Sequence, residues 1–281
     1  MKVLIIGLPK SGTTALYNNL CKSYPTECIS YFEPSRKSDF SSCVKNMASE
    51  KCIVVKEVFD NSFDYSIYNF VDKVILIIRD PRDRLISKFL FIHGHRSINN
   101  YNNIQSLCSK LYNQLKQKRL DPTIPFINLI HSPSFEDLIY SIYGSKFDSF
   151  SKIDIHEQLK FIEFINRKNT FIFKYESMID KNFNQLENYL GFKIISYENV
   201  PTTHLRVART KSYGSWKNWF TPTDIDRIDH HYDPILNIYN YNNDWSLNNK
   251  QHIEEDHCDG YVTNLWNTWT FLHHKYNFTP D

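Results

Sequence analysis

Pro9-Lys10-Ser11-Gly12-Thr13-Thr14 puts a lysine, three hydroxyls and a glycine into one short turn. Backbone amides, hydroxyl donors and a cation aimed at one small volume are what a phosphate or sulfate group requires. Gly7 and Gly12 bound the turn in a chain with only seven glycines, a concentration that amino-acid usage does not explain. The glycine spacing is that of the nucleoside-triphosphate loop G-x-x-x-x-G-K-[ST], but the lysine position holds Thr13 and the lysine lies inside, at Lys10. A triphosphate loop needs its lysine on the β- and γ-phosphates and a hydroxyl on Mg²⁺. This loop instead suits one phosphate gripped by amides and hydroxyls, with Lys10 left to meet charge developing on a nearby oxygen. The plainer alternative is a strand-turn-helix without a ligand, for which these polar residues are poor packing material.

A second stretch, Ile78 to Ser87, ends an apolar run with Arg79 and follows it with Arg82, Arg84 and Ser87. Arginine offers a planar fork of donors that matches a phosphate. Asp80 and Asp83 could equally pair with these arginines at a solvated helix start. A third stretch carries Arg206, Arg209, Lys211, Gly214, Trp216, Lys217 and Trp219 ahead of Thr221. It reads either as a basic binding loop or as a surface loop with its tryptophans packed inward.

The elements that must position these residues follow from periodicity. Val3–Ile6 is a short β-branched run that predicts a buried strand, and Ala15, Leu16 and Leu20 have helical spacing after Thr13. Further strands are expected over Glu27–Phe32, Cys52–Lys56, Lys73–Ile78 and Thr170–Phe173. These runs are continuous rather than alternating, as in a parallel sheet covered on both faces. Helices are expected over 39–48, from Pro81 with Asp80 as cap to about Ile92, near 104–118, from Ser134-Phe135-Glu136-Asp137, over 152–166, over 178–190 ending at Gly191, and from Thr221 to about Tyr239. Asn99–Asn103 and Asp121–Pro125 read as loops, and 93–151 as an insertion over the sheet edge. Alternating strands and helices give an α/β fold in which a central, mostly parallel sheet lies between helix layers, with ligands at the carboxyl ends of the strands.

Composition narrows the function classes. An apolar fraction of 41% supports a core, and a net charge of +2 argues against a general nucleic-acid or anionic-membrane binder. No run reaches transmembrane length, and a strand starting at Lys2 leaves no signal peptide. Six cysteines without C-x-x-C spacing fit reduced thiols in a cytoplasmic protein.

Taken together and in order, the motifs resemble those of the sulfotransferases that use 3′-phosphoadenosine 5′-phosphosulfate (PAPS) and release 3′-phosphoadenosine 5′-phosphate (PAP). The resemblance runs from residue 2 to about 245 and implies one P-loop-like, three-layer domain spanning 1–281, with a helical tail over 245–281. It assigns Pro9, Lys10, Ser11, Gly12, Thr13 and Thr14 to the 5′-phosphosulfate. Arg79 and Ser87 go to the 3′-phosphate, as does an R-x-x-x-x-G-x-W-K loop matched by Arg209, Gly214, Trp216 and Lys217, with Lys211 adding charge. Tyr175, of the pair Tyr175-Glu176, goes near the adenine. The implied reaction moves a sulfuryl group to a hydroxyl of a small molecule or glycan without a metal. Lys10 would stabilise the leaving oxygen, and Lys56 would sit near the sulfuryl group.

The chain departs from the family in places. Ala15 stands where many members have a tryptophan on the adenine, and Thr210 and Lys211 stand in for the usual Lys-Gly of the late loop. Val58 stands where the simple cytosolic members carry a basic histidine. The general base is then Glu33, at the distance from the loop lysine found in heparan-type members, or Glu57, or one of His93 and His95. Glu33 could instead be a strand-end carboxylate paired with Lys or Arg. His252, His257, Cys258, His273 and His274 match no common zinc spacing. Trp266, Trp269, Phe271 and Leu272 read as the apolar face of a packing helix or of a homodimer contact. Two rival functions remain: a small-molecule kinase, and a non-catalytic protein that binds PAP or another nucleotide.

Overall fold

The run Lys73–Ile78 is a strand with those bounds, buried from Val74 onward, and it ends where Arg79 interrupts the apolar pattern. The computed structural model describes residues 1–36, 39–94, 104–143, 150–165, 167, 169–196, 209 and 211–268. In chain order the elements are β1 (Lys2–Gly7), α1 (Thr13–Ser23), β2 (Ile29–Phe32), α2 (Phe40–Ser49), β3 (Ile53–Val58), β4 (Lys73–Ile78), α3 (Pro81–Ile92), α4 (Ile104–Leu120), α5 (Phe126–Ile130) and α6 (Pro133–Tyr143). They continue with α7 (Phe150–Ile165), β5 (Thr170–Lys174), α8 (Tyr175–Ile179), α9 (Asn184–Leu190), α10 (Trp216–Trp219), α11 (Pro222–Ile238) and α12 (Asp259–Thr268). The architecture is three-layer α/β. The chain divides into two compact units, Met1–Arg79 with Glu157–Leu205, and Asp80–His156 with Arg206–Asp281.

The first unit holds a five-stranded sheet in the order β2-β3-β1-β4-β5, parallel at every pairing. Alternation along β1 sends Val3 and Ile5 to one face, where they pack with Leu16 and Leu20 of α1, Ile75 and Ile77 of β4, and Leu186 and Leu190 of α9. Beyond β3, Phe59 and Phe63 join Phe161 and Phe164 of α7 in an aromatic cluster. The helix expected over 178–190 is two helices, α8 and α9. Lys181 takes a left-handed φ of 56° between them, which a continuous helix cannot accommodate.

The second unit is helical. α3 starts as its sequence predicts, with Pro81 in its first turn and the Asp80 carboxylate accepting from the Arg82 amide at 2.9 Å. α11 opens on a capping box in which Thr221 and Asp224 bond reciprocally. Leu111 and Leu115 of α4, Phe126 of α5 and Phe135 of α6 share one core with Phe89 of α3, Trp219 of α10 and Leu265 of α12. The polar stretch after residue 93 thus borrows its apolar partners from distant parts of the chain. α5 escapes a reading by periodicity because it is barely more than one turn long. Asn99–Asn103 lies outside the described residues.

Candidate functional site

In the first unit, β1 delivers Gly7 to the loop and α1 leaves it at Gly12. Gly7 is obligatory: a Cβ there would lie 2.6 Å from the Ile77 carbonyl oxygen and 3.0 Å from Thr13 Cγ2. Gly12 has φ 94°, and a Cβ on it would meet the Tyr175 ring at 2.6 Å. Lys10 is also left-handed, at φ 72°, a conformation that costs free energy in a non-glycine residue. Ser11, Thr13 and Thr14 are buried; Pro9 is half-buried. α1 has no side-chain cap and no acidic residue in its first turn. Neither the cap residue Gly12 nor the first turn thus offers a carboxylate to the first amides and the positive end of the dipole.

Arg79 completes this arrangement. It is buried, with its guanidinium 4.4 Å over the Tyr175 ring and Nη1 donating to the Lys10 carbonyl at 3.3 Å. Its Nε and Nη2 are buried with no hydrogen-bond partner among the described residues. Leaving charged donors buried and unmade is costly, and an anion on the loop side is the group that would answer them. Loop, Arg79 and Tyr175 are thus in mutual contact. The resemblance had placed Tyr175 near an adenine; its ring here fills the space beside Gly12 and under Arg79.

β3 presents Lys56 and Glu57 on opposite faces. Lys56 stands beside Ile5 in register, on the side packed by α1. Its side chain is 2% exposed, and its ammonium pairs with Glu33 Oε1 and lies 4.3 Å over the Phe32 ring. Burial pulls the Lys56 pKa down, against the opposing pull of Glu33. Glu33 follows β2 at a left-handed φ of 54°, with its amide donating to the Lys56 carbonyl at 2.7 Å and its Oε2 3.3 Å from Arg36. Arg36 is held in turn by Asp60. Glu57 is fully buried, and its Oε1 accepts both the amide (2.8 Å) and the hydroxyl (2.7 Å) of Ser35. Burial pushes the Glu57 pKa up, with the Ser35 bonds opposing it. Glu33 and Lys56 are brought together; Glu57 is turned away from them.

The second unit contains the remaining candidates. Ser87 is buried in α3. The Asp83 carboxylate, fully buried, accepts from the Gly214 amide, the Ser215 hydroxyl (2.8 Å) and the Trp216 amide (3.0 Å). Gly214 (φ 76°) and Trp216 therefore serve to dock this loop on α3. Trp216 also stacks on Arg82, whose Cζ is 4.1 Å from the ring. Asp80 pairs with Arg82 at 2.7 Å, so one of the carboxylates flanking the arginines does what a helix start predicts and Asp83 does not. Arg209 donates to Ser215 Oγ at 3.3 Å and to the His257 carbonyl at 3.2 Å, and Lys211 is exposed. Thr210 lies outside the described residues.

His93 is a core residue and not a base at a cleft. It is 1% exposed, its Nδ1 is 2.8 Å from the Phe89 carbonyl, its ring stacks on Phe135 at 5.4 Å, and Trp266 Nε1 donates to its carbonyl at 2.8 Å. Burial lowers its pKa to about 4. A histidine buried neutral stabilises the fold fully above its unfolded pKa of about 6.5, and that contribution fades as pH falls towards 4. The expected loss is roughly 3 kcal/mol at most. Melting temperature measured between pH 7 and 4 should fall less steeply in His93→Asn than in the parent, and identical slopes would contradict this assignment.

His95, His273, His274, Trp269, Phe271 and Leu272 lie outside the described residues. Among the described residues no three His, Cys, Asp or Glu side chains are grouped to hold a metal ion, and no helix is long and apolar enough to cross a membrane. Sequence reasoning missed Arg36 and Asp60 beside Glu33, and Ser215 beside Arg209. None carries a motif. Asp83 was visible, but its amide partners lie far along the chain.

The family model described as "Sulfotransferase domain" matches residues 1–192. Among solved structures, mouse sulfotransferase SULT7A1 complexed with PAP is similar at a TM-score of 0.51 and 16% identity, over 84% of this chain and 83% of that one. At that identity the likeness concerns the fold. A search of curated proteins finds no match.

Proposed function

This chain belongs to the sulfotransferase family, and from that membership we propose that it moves a sulfuryl group from PAPS to a hydroxyl of a small-molecule or glycan acceptor. The observation that carries the donor assignment is Arg79: two buried donor nitrogens without hydrogen-bond partners among the described residues, beside an α1 N-terminus whose cap residue is the glycine Gly12. These residues fit an adenosine bisphosphate, which would supply anionic oxygens to both features. PAPS would bring the activated sulfuryl group.

In this reading the chain's own residues do the rest. Ser11, Gly12, Thr13 and Thr14 bind and orient the 5′ end of the donor with amides and hydroxyls. Lys10 faces charge that grows on the departing oxygen. Lys56, held by Glu33, keeps a positive charge near the transferred group. Glu33 takes the acceptor's proton at a carboxylate oxygen. Arg79, Ser87, Arg209, Lys211, Gly214 and Trp216 serve the 3′-phosphate, and Tyr175 the nucleoside side. We place both units in one catalytic domain in a cytoplasmic protein, consistent with the six unpaired cysteines. A non-catalytic PAP-binding protein is the second reading, favoured because both Glu33 oxygens are already met by cations.

Calorimetric titration tests the donor class: PAP should bind, and ATP with Mg²⁺ should bind far more weakly. The reverse order would move the chain to the kinases. Arg79→Ala should weaken PAP by on the order of 1.5–3 kcal/mol, roughly tenfold to a hundredfold, the scale of a lost charged hydrogen bond. Adenosine 5′-phosphosulfate, which lacks the 3′-phosphate, should lose much less. Equal losses would assign Arg79 to a different phosphate.

A further inference from the structure

Arg209 lies beyond the segment matched by the family model, which ends at residue 192. Within the second unit its guanidinium is gripped from two sides, by the Ser215 hydroxyl oxygen at 3.3 Å and by the main-chain carbonyl of His257 at 3.2 Å. A serine hydroxyl has a single proton to give. With the Arg209 Nη2 donating to Ser215 Oγ, that proton goes to Asp83 Oδ1, 2.8 Å away. The direction of the Ser215 hydroxyl is therefore set: donor to Asp83, acceptor from Arg209. Asp83 cannot swing aside, because it is fully buried and also accepts the Gly214 and Trp216 amides.

We infer that Ser215, oriented by Asp83, is a positioning residue for Arg209, and that the tail segment at His257 supplies the second hold. The inference rests on the reading of Arg209 as a donor-binding residue. A free arginine side chain samples many rotamers, and holding it before the ligand arrives removes that entropic cost from binding. The tail thereby acquires a task through a main-chain atom, which no side-chain motif would disclose. The 3-10 turn Glu255–His257 that presents the carbonyl is followed by the buried Cys258, whose thiol donates to the Leu115 carbonyl at 3.4 Å.

The test is a double-mutant cycle on PAP affinity, measured by calorimetry on the full chain. Ser215→Ala should weaken PAP roughly tenfold, the scale of a hydrogen bond to a charged group, and Ser215→Thr, which keeps the hydroxyl, should restore most of it. Arg209→Ala should weaken PAP at least as much. The double variant should be no weaker than Arg209→Ala alone, because a residue that acts only through another contributes nothing once the other is gone. Additive losses, or unchanged affinity in Ser215→Ala while Arg209→Ala is impaired, would overturn the positioning role and leave the donor assignment intact. Wild-type affinity in Arg209→Ala would instead remove Arg209 from the donor site and the inference with it. Asp83→Asn is the less useful variant, since it also leaves a buried amide without its acceptor and should lower the melting temperature.

Discussion

Lys10→Met is expected to lower kcat by about a hundredfold to a thousandfold while PAP affinity changes little, the scale seen when one donor to a developing oxyanion is removed. The lysine sits at a left-handed φ of 72° inside the loop that connects β1 to α1, a position whose backbone strain a packing role would not require. In the proposed donor complex the ground-state phosphate would already be served by amides and hydroxyls from Ser11 to Thr14. The extra charge that appears as the bond to the leaving oxygen breaks is what Lys10 would meet, so its interaction grows along the reaction. Only such an interaction raises kcat; uniform binding would show in affinity instead. Steady-state kinetics and PAP calorimetry on the same preparation separate the two. A fall in PAP affinity as large as the fall in kcat would make Lys10 a binding residue only.

Glu33→Gln is expected to cost roughly a hundredfold or more in kcat, the usual scale of general base catalysis, with PAP affinity intact. The structure sharpens this test. Glu33 pairs with the buried Lys56 and with Arg36, so the amide will also leave Lys56 without its counter-charge, and removing one partner of a buried pair is destabilising. Some loss of melting temperature is therefore expected in either case, and turnover and its pH dependence decide. A base requires that the acid limb of the kcat/KM profile disappear in Glu33→Gln. A carboxylate held there for packing alone predicts a lower melting temperature with turnover near normal and the same limb. That outcome would send the search to Glu57, whose carboxylate is engaged by Ser35 on the opposite face of β3.

Much of the sheet and the loop was legible because local signals there agree. Lys73–Ile78 is apolar throughout, Arg79 interrupts it, and Asp80-Pro81 both caps and starts a helix, so a strand end and a helix start are written in adjacent residues. The phosphate-type loop was legible because Gly7 and Gly12 are required by close approaches at Ile77, Thr13 and Tyr175. The break at Lys181 was not, since nothing in a lysine announces a left-handed residue. His93 resembled a site residue because it is polar and follows α3. Its true environment, Phe135 and Trp266, comes from elements far along the chain. Asp83 likewise has acidic chemistry that suggested an arginine partner, while it accepts from the Gly214 and Trp216 amides and the Ser215 hydroxyl just ahead of and at the start of α10. Long-range pairing decided each of these cases, and periodicity carries no information about it.

Sulfuryl transfer itself is measured by following the sulfur. The purified chain is incubated with PAPS labelled in its sulfuryl group and a panel of hydroxyl acceptors, small molecules and glycans together, and label in acceptor and PAP released are both quantified. A PAPS-dependent sulfotransferase should leave label covalently bound to at least one acceptor and PAP formed in equal amount, with both lost in Lys10→Met. Tight PAP binding with no label transferred to any acceptor, and PAP release no faster than in the absence of protein, would contradict that function and identify a nucleotide-binding protein built on a sulfotransferase fold.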